Sequence, residues 1–230
     1  MNGEVFFTGD LHLGHANIIK YSNRPFLCQR DKEFIQNNGG TWKGADRYRP
    51  SRDSVALMDE ALLENINKTV PKDAILIELG DFAMPDRNHD YFERCKYYRN
   101  RINCRNMYHI FGNHDGAELG SIFNIFEAHG QKFYDCVPCA YINKIQFFLM
   151  HYAPLIWNKN HRGAIGLYGH SHSGAEDWSD QNLKGHRSMD VGVDNAFKIL
   201  GEYRPFKMSE ILKIMEDRKG FSIDHHELGE

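Results

Sequence analysis

Metal-ligand residue types follow five predicted strands of this chain, beginning one or two positions after each strand ends. In α/β folds, binding sites form outside the carboxyl ends of strands, so we expect the five ends to share one cleft. Convergence would place two aspartates, one asparagine and four or five histidines there. These residues are Asp10 and His12 after residues 5–8, Asp81 after 75–79, Asn113 and His114 after 107–111, His151 after 146–150, and His170 and His172 after 165–168.

Each motif has a plain alternative when it is taken alone. Gly80-Asp81 is a common turn sequence, and a lone histidine such as His151 is more often an ordinary core or surface residue. The spacing of His170 and His172 is more specific, because alternate positions of an extended segment point to the same side. Five such motifs in order favour one shared site over five unrelated turns.

The ligand types indicate which ion such a site would hold. Imidazole nitrogen combined with carboxylate and amide oxygen, without a thiolate, suits Mn, Fe, Zn, Co or Ni. The set is too large for one ion. Two ions about 3.5–4 Å apart, bridged by a carboxylate, form the arrangement that clamps in-line phosphoryl displacement. We therefore expect two divalent ions, with Mn as the ion that best supports activity.

The ordered set of motifs resembles the signature of the calcineurin-like metallophosphoesterases, and it extends from residue 4 to about residue 195. The string FTGDLHLGHANIIKYSNRPF, residues 7–26, is similar to small bacterial and phage members of that superfamily. The blocks that carry the resemblance are Asp10-x-His12, Gly80-Asp81, Gly112-Asn113-His114-Asp115, His151 and Gly169-His170-x-His172.

The resemblance implies an α/β fold, a four-layer α-β-β-α sandwich of two mixed sheets. It implies that a metal-bridging hydroxide attacks phosphorus in line. His114 would face the phosphate and the leaving group, where it would stabilise charge or protonate the departing oxygen. The implied ligands are Asp10, His12 and His172 for the first metal, Asp81 as the bridge, and Asn113, His151 and His170 for the second metal.

The expected reaction is hydrolysis of a phosphodiester in a nucleotide-like or cyclic-nucleotide-like substrate. A phosphomonoesterase for nucleotides or sugar phosphates is the alternative, and an inactive scaffold is less favoured because every ligand position is filled. Protein phosphatases of the superfamily carry motifs that resemble Gly-Asp-x-x-Asp-Arg-Gly and Gly-Asn-His-Glu. This chain has GDFAMPDRN and Asp115 at these places, so the sequence does not favour a protein phosphatase. Double-strand-break nucleases carry a capping domain that 230 residues hardly accommodate.

The length, charge and cysteine content of the chain limit the binding partners and the cellular compartment that we expect. The chain has 230 residues and a formal charge of −3, which suits one domain over residues 1–230 and does not indicate bulk nucleic-acid binding. No apolar run approaches the ~18 residues that span a bilayer, and the N-terminus does not resemble a signal peptide. Five cysteines, an odd number, indicate free thiols. We expect a cytoplasmic enzyme, in a bacterial or phage-infected cell, with a small phosphorylated substrate.

Segments outside the motifs bear on substrate binding. Residues 23–50 are polar, contain several glycines and lack periodicity, so they are predicted to form a long insertion loop that shapes the substrate pocket. Residues 51–69 are predicted to form a helix capped by Ser51, residues 119–128 a further helix, and residues 221–230 a polar tail. The candidate substrate contacts are His15, Arg24, Trp42 and Arg47.

Overall fold

Two four-stranded sheets form the centre of the molecule, a computed structural model that describes residues 3–84, 90–183 and 185–220. The strands are β1 (Val5–Thr8), β2 (Ile75–Glu78), β3 (Asn106–His109), β4 (Phe126–Ala128), β5 (Gln131–Phe133), β6 (Cys136–Ile142), β7 (Ile145–Met150), β8 (Ile165–Tyr168), β9 (Ser188–Asp190) and β10 (Phe206–Lys207). The helices are α1 (Ala16–Tyr21), α2 (Gln29–Asn37), α3 (Arg52–Thr69), α4 (Tyr91–Arg101), α5 (Gly174–Asn182), α6 (Val193–Leu200) and α7 (Met208–Met215).

Both sheets contain parallel and antiparallel pairs. The first sheet has the order β10-β1-β2-β3, in which β1, β2 and β3 are parallel and β10 is antiparallel to β1. The second has the order β6-β7-β8-β9, in which β7, β8 and β9 are parallel and β6 is antiparallel to β7. The last residues of the first three strands are level, since Thr8 pairs with Glu78 and Glu78 with His109. Their following loops therefore leave the sheet side by side.

Alternating side chains of the first sheet divide the core into two layers. Phe6 and Leu76 face the helical side, in one apolar cluster with residues of α1 and α3. Phe7 and Ile77 face the second sheet, and Phe7 lies with its ring centroid 5.4 Å from that of Phe147 on β7. Helix α5 contacts β9 of the second sheet. The predicted four-layer sandwich with two mixed sheets is confirmed.

Helix α3 illustrates how the sequence specifies the helical layer. Ser51 is its N-cap, and the hydroxyl oxygen accepts a hydrogen bond from the N–H of Ser54 at 3.3 Å. Met58, Leu62 and Ile66 recur at helical spacing and are buried in the cluster that covers the first sheet. The capped helix predicted over residues 51–69 is therefore confirmed.

Helix α2 corrects the prediction that residues 23–50 form an irregular loop throughout. Asp31 is the buried residue of this helix, and its carboxylate accepts hydrogen bonds from the hydroxyls of Ser51, Ser54 and Tyr48 at 2.6–2.9 Å. A polar contact with the start of α3 thus holds the helix in place. The sequence lacks the apolar stripe by which such a helix is usually recognised.

The helix predicted over residues 119–128 is wrong. The chain makes a 3₁₀ turn over Ala117–Ser121 and then enters the hairpin of β4 and β5. Between them, the N–H of Asn124 donates to the carbonyl of Met107 at 2.9 Å, and its carbonyl accepts from the N–H of His109 at 3.1 Å. Backbone pairing with β3 therefore prevails over the helical spacing of the apolar residues.

The structure covers some of the remaining predictions about the chain, and others concern residues that it does not describe. All five cysteines are free thiols. Within the described ranges, no helix combines the length and apolar character needed to cross a membrane. The predicted polar tail, residues 221–230, and residues 85–89 of the GDFAMPDRN segment lie outside the described residues.

Candidate metal centre

Two groups of metal-ligand side chains meet at the strand ends that the sequence singles out. Within each group, the candidate ligand atoms all lie within 4.8 Å of one another. Most of these side chains are buried, while His170 is exposed. The groups are Asp10, His12 and His172, called the first cluster, and Asp81, His151 and His170, called the second cluster.

Asp81 lies between the two clusters. Its Oδ2 is 3.4 Å from Nε2 of His151 in the second cluster and 3.5 Å from Nε2 of His12 in the first. Its Oδ1 accepts a hydrogen bond from the N–H of His114 at 2.9 Å. One carboxylate oxygen therefore faces ligands of both clusters, which is the placement that a bridging ligand requires.

The loop after β3 brings Asn113 and His114 to the same place. Oδ1 of Asn113 is 3.1 Å from Nε2 of His151, so the amide lies on the side of the second cluster. The His114 ring is partly exposed, and its centroid is 5.6 Å from that of His12. The structure thus brings together all of the residues that the sequence places in the centre, ligands and His114 alike.

The clustered residues occupy an unusual region of backbone space. Asp10, His12, Asp81, His170 and His172 all have φ between 46° and 65°, in the left-handed region. Such a conformation costs a residue other than glycine about 1–3 kcal/mol and is concentrated at functional sites. Backbone hydrogen bonds of 2.9 Å maintain it, from the N–H of Asp10 to Gly80 and from the N–H of His12 to Asp81. The strained backbone therefore lowers the stability of the fold, and it directs these side chains into one small volume.

Glycines make room for the two carboxylates. A Cβ atom at Gly112 would lie 2.3 Å from Oδ1 of Asp81. A Cβ atom at either Gly169 or Gly192 would lie 2.6 Å from Oδ2 of Asp10. These distances are far inside van der Waals contact, so the glycines of the Gly-Asn-His-Asp and Gly-His-x-His motifs are required by the space that the carboxylates occupy.

The electrostatics of the clusters fit bound cations. Burial and the negative charges of Asp190 and Asp81 raise the pKa of Asp10 well above its usual value. Burial lowers the pKa of His12 well below its usual value, and neither of its buried ring nitrogens has a hydrogen-bond partner among the described residues. Crowded carboxylates and an unpartnered neutral imidazole are both satisfied by divalent ions, and nitrogen with oxygen donors suits Mn, Fe, Co, Ni or Zn.

Asp194 positions His172, and Arg24 positions Asp194. Oδ2 of Asp194 is 2.6 Å from Nδ1 of His172, which leaves Nε2 for a metal. The Arg24 guanidinium donates to both Asp194 oxygens at 2.8–2.9 Å and to the carbonyl oxygens of Asp10 and Leu11 at 2.7 and 3.0 Å. Arg24 is only 1% exposed. The prediction that it contacts substrate is therefore wrong, because its donors hold the loop that carries the ligands.

We expect the Asp194→Asn variant to lower the metal affinity of the first cluster about 10–100-fold, the usual effect of losing a carboxylate partner of a ligating histidine. Metal content measured by elemental analysis, after dialysis at graded Mn concentrations, checks this. Asp177→Asn is the matched control, since that exposed carboxylate pairs with Lys198 on the surface. Unchanged affinity in folded Asp194→Asn protein would contradict the positioning role.

Asp115 ties together the loops after β2 and β3. Its Oδ2 accepts hydrogen bonds from the N–H groups of Asp81 at 2.7 Å and Gly112 at 2.8 Å. Buried His109 lies between Asp115 and Glu78, with nitrogen–oxygen distances of 3.2 and 2.5 Å. Burial alone would lower the pKa of His109, but the two carboxylates raise it to about 10. A protonated His109 therefore offsets part of the negative charge that the two carboxylates bury.

Asp190 and Asp194 support the ligand loops of the candidate site, and neither is among the residues that the sequence predicts. Oδ2 of Asp190 accepts hydrogen bonds from the Ser171 hydroxyl at 2.7 Å and the Ser173 N–H at 2.9 Å, which fixes the loop that carries two ligands. The segment 189–194, MDVGVD, has a strand followed by glycine and aspartate. Gly9-Asp10 and Gly80-Asp81 also place an aspartate after a strand and a glycine, so the same signal could have identified Asp194, whereas Asp190 ends the strand itself.

The other predicted substrate contacts are dispersed. His15 adjoins the first cluster, with its ring centroid 5.5 Å from that of His12, and burial together with nearby positive charges lowers its pKa to about 4. Trp42 is partly buried, 6.3 Å between ring centroids from Phe34. Arg47 is exposed in a separate surface depression beside Phe34. Of these three residues, the structure brings only His15 to the ligands.

Comparison with known proteins agrees with this geometry. An uncharacterized protein of Methanocaldococcus jannaschii is 26% identical over 219 residues, which cover 94% of this chain and 93% of that protein. A protein of unknown function from Aquifex aeolicus has a crystal structure with the same fold, with a TM-score of 0.56, 16% identity, and coverage of 93% of this chain and 100% of that one. Residues 4–205 match the calcineurin-like phosphoesterase family. Because that match includes every strand end that carries a candidate ligand, this chain belongs to the calcineurin-like phosphoesterases, a family of metal-dependent hydrolases.

Proposed function

We propose that this protein is a dinuclear metal-dependent phosphodiesterase that acts on a nucleotide-like or cyclic-nucleotide-like substrate. The observation that carries the proposal is the position of Asp81, whose Oδ2 lies 3.4–3.5 Å from a histidine nitrogen of each cluster. Two separate mononuclear sites would not share one carboxylate oxygen. A carboxylate oxygen that faces both clusters fits a dinuclear centre, the arrangement that clamps a phosphate during displacement.

The ligands divide between two ions in this proposal. When bound, two divalent ions supply a hydroxide nucleophile at neutral pH and neutralise the charge of the phosphate. Mn is the proposed activating ion, in keeping with the nitrogen and oxygen donors. The first ion would be held by Asp10, His12, His172 and Asp81, and the second by Asp81, Asn113, His151 and His170.

His114 is the proposed proton donor. Its backbone N–H is fixed by Asp81 at 2.9 Å, while its ring stays partly exposed beside His12. A ring held this way can meet a substrate phosphate and protonate the departing oxygen. His15, on the other side of His12, is proposed to contact substrate. The free thiols support the proposed cytoplasmic location, since a reducing compartment preserves them.

The choice between diester and monoester substrates has a direct test. We expect the Mn-loaded protein to hydrolyse bis-p-nitrophenyl phosphate with a kcat/KM at least about tenfold above that for p-nitrophenyl phosphate, a difference of about 1.4 kcal/mol in transition-state stabilisation. Release of nitrophenolate measures both reactions. A preference for the monoester would favour the phosphomonoesterase alternative. Hydrolysis of neither ester would favour an inactive scaffold.

A further inference from the structure

A cavity of about 660 Å³ opens beside the first cluster, between the start of α3 and helix α4. Gly14 lines it and lies two residues after His12, so their Cα atoms are at most about 7.6 Å apart. His15 directly follows Gly14, and its ring lies with its centroid 5.5 Å from that of His12. The cavity and the metal centre are therefore neighbours.

The cavity is lined by more positive than negative charge. Four arginines line it against two aspartates, although the whole chain carries a formal charge of −3. One of these aspartates, Asp59, has its carboxylate engaged by the Gly14 N–H at 2.9 Å and the Tyr98 hydroxyl at 2.7 Å. The arginines are Arg30, Arg49, Arg52 and Arg94.

Two of these arginines have guanidinium groups available for a ligand. In the part of the chain that the structure describes, no carboxylate lies within ion-pair distance of Arg49 or Arg52, and both side chains are exposed. Arg94 lies against Gly14, where an added Cβ would be 3.0 Å from its Cζ. Glycine at position 14 therefore keeps the cavity open toward a guanidinium. Guanidinium groups match the oxygens of a phosphate with paired hydrogen bonds.

We propose that this cavity, called the arginine pocket, binds a second phosphate group of the substrate while the first lies at the metal centre. The inference rests on the proposed function, and it specifies the substrate class as a phosphoester that carries an additional phosphate. Within residues 23–50 it assigns a substrate contact to Arg49, where the predicted contacts were Arg24, Trp42 and Arg47, and it adds Arg52 of α3. Metal ions attract any anionic ester, whereas the pocket selects esters that have a second anionic group.

The test compares substrates that differ only in the second phosphate. One pair is thymidylyl-thymidine with and without a 5′-phosphate, in which a sugar separates the two phosphates. The other pair is the p-nitrophenyl ester of thymidine 5′-diphosphate at its terminal phosphate and the p-nitrophenyl ester of thymidine 5′-monophosphate, which probes phosphates joined by an anhydride bond. We expect kcat/KM to be at least about tenfold higher for the more phosphorylated member of at least one pair. An effect in the first pair indicates a second phosphate that a sugar separates from the reacting one, and an effect in the second pair indicates a phosphate joined to it by an anhydride bond.

The double variant Arg49→Gln/Arg52→Gln should bring that ratio close to one. Lys32→Gln/Lys43→Gln is the matched control, because it removes two exposed charges from the neighbouring segment outside the pocket and should keep the wild-type ratio. A wild-type ratio of one in both pairs would overturn the proposal. A ratio that persists in Arg49→Gln/Arg52→Gln would overturn it as well, since the phosphate would then bind elsewhere.

A binding measurement distinguishes an incorrect assignment of the arginine pocket from an incorrect proposed function. Calorimetry on Mn-loaded His114→Asn protein compares the two thymidylyl-thymidines without needing turnover. Tighter binding of the 5′-phosphorylated form, lost when Arg49→Gln/Arg52→Gln is added, would support the pocket even if the wild-type protein hydrolysed neither compound. Equal binding of both forms, together with equal turnover of both members of the nitrophenyl pair, would overturn the pocket while leaving phosphodiester hydrolysis intact.

Discussion

Replacing Asp81 with asparagine should remove metal from both clusters and lower kcat/KM for bis-p-nitrophenyl phosphate by about 10³-fold or more. The expected loss is large because bound ions contribute several kcal/mol to transition-state stabilisation, and about 1.4 kcal/mol corresponds to tenfold in rate. Asp81 faces a histidine nitrogen of each cluster at 3.4–3.5 Å, so its replacement is expected to affect both. Elemental analysis and the nitrophenolate assay measure the two effects.

The comparison variant for Asp81→Asn is His12→Ala. His12 belongs to the first cluster, so its removal should mainly empty that site and leave the second occupied. The two variants therefore differ in stoichiometry as well as in rate. Loss of only one ion in Asp81→Asn protein, with the other retained at wild-type affinity, would show that Asp81 is an ordinary ligand of one cluster.

The His114→Asn variant should keep both ions and lose about 10²–10⁴-fold in turnover, the usual contribution of a positioned proton donor. The backbone N–H of His114 donates a hydrogen bond to Asp81 at 2.9 Å, which holds the residue at the metal centre. Asparagine at this position preserves that backbone contact. Metal content and kcat are measured on the same preparation. The control is His129→Asn, which alters an exposed histidine in the turn between β4 and β5. Loss of metal from His114→Asn protein, or a full rate, would contradict the assigned role.

The sequence predicts which side chains meet at the strand ends, because each one follows a strand that is easily recognised. A buried apolar run such as residues 75–79 predicts a strand, and the position after a parallel strand has a defined place at the edge of the sheet. The pairing of Thr8 with Glu78 and of Glu78 with His109 shows that this edge is level. The local sequence pattern and the topology of the first sheet therefore lead to the same placement of these residues. The layered architecture itself depended on the family resemblance, since periodicity alone does not specify how two sheets stack.

The sequence predicts poorly what depends on distant partners. Arg24 stands in a polar segment and could equally be a surface group, but its partner Asp194 lies 170 positions away in the chain and draws it into the interior. Helix α2 is held by Asp31 through hydroxyl groups, a contact that leaves no periodic apolar signal. The predicted helix over residues 119–128 fails for a similar reason, because Asn124 pairs with the backbone of β3.

The number of divalent ions bound per chain decides whether the centre is dinuclear. The protein, loaded with Mn and dialysed, is analysed for metal and protein in the same sample, and activity on bis-p-nitrophenyl phosphate is followed as the metal is restored. The two clusters joined by Asp81 predict two ions per chain, with full activity reached only when both are bound. One ion per chain at full activity, or no ion retained at all, would contradict a dinuclear centre.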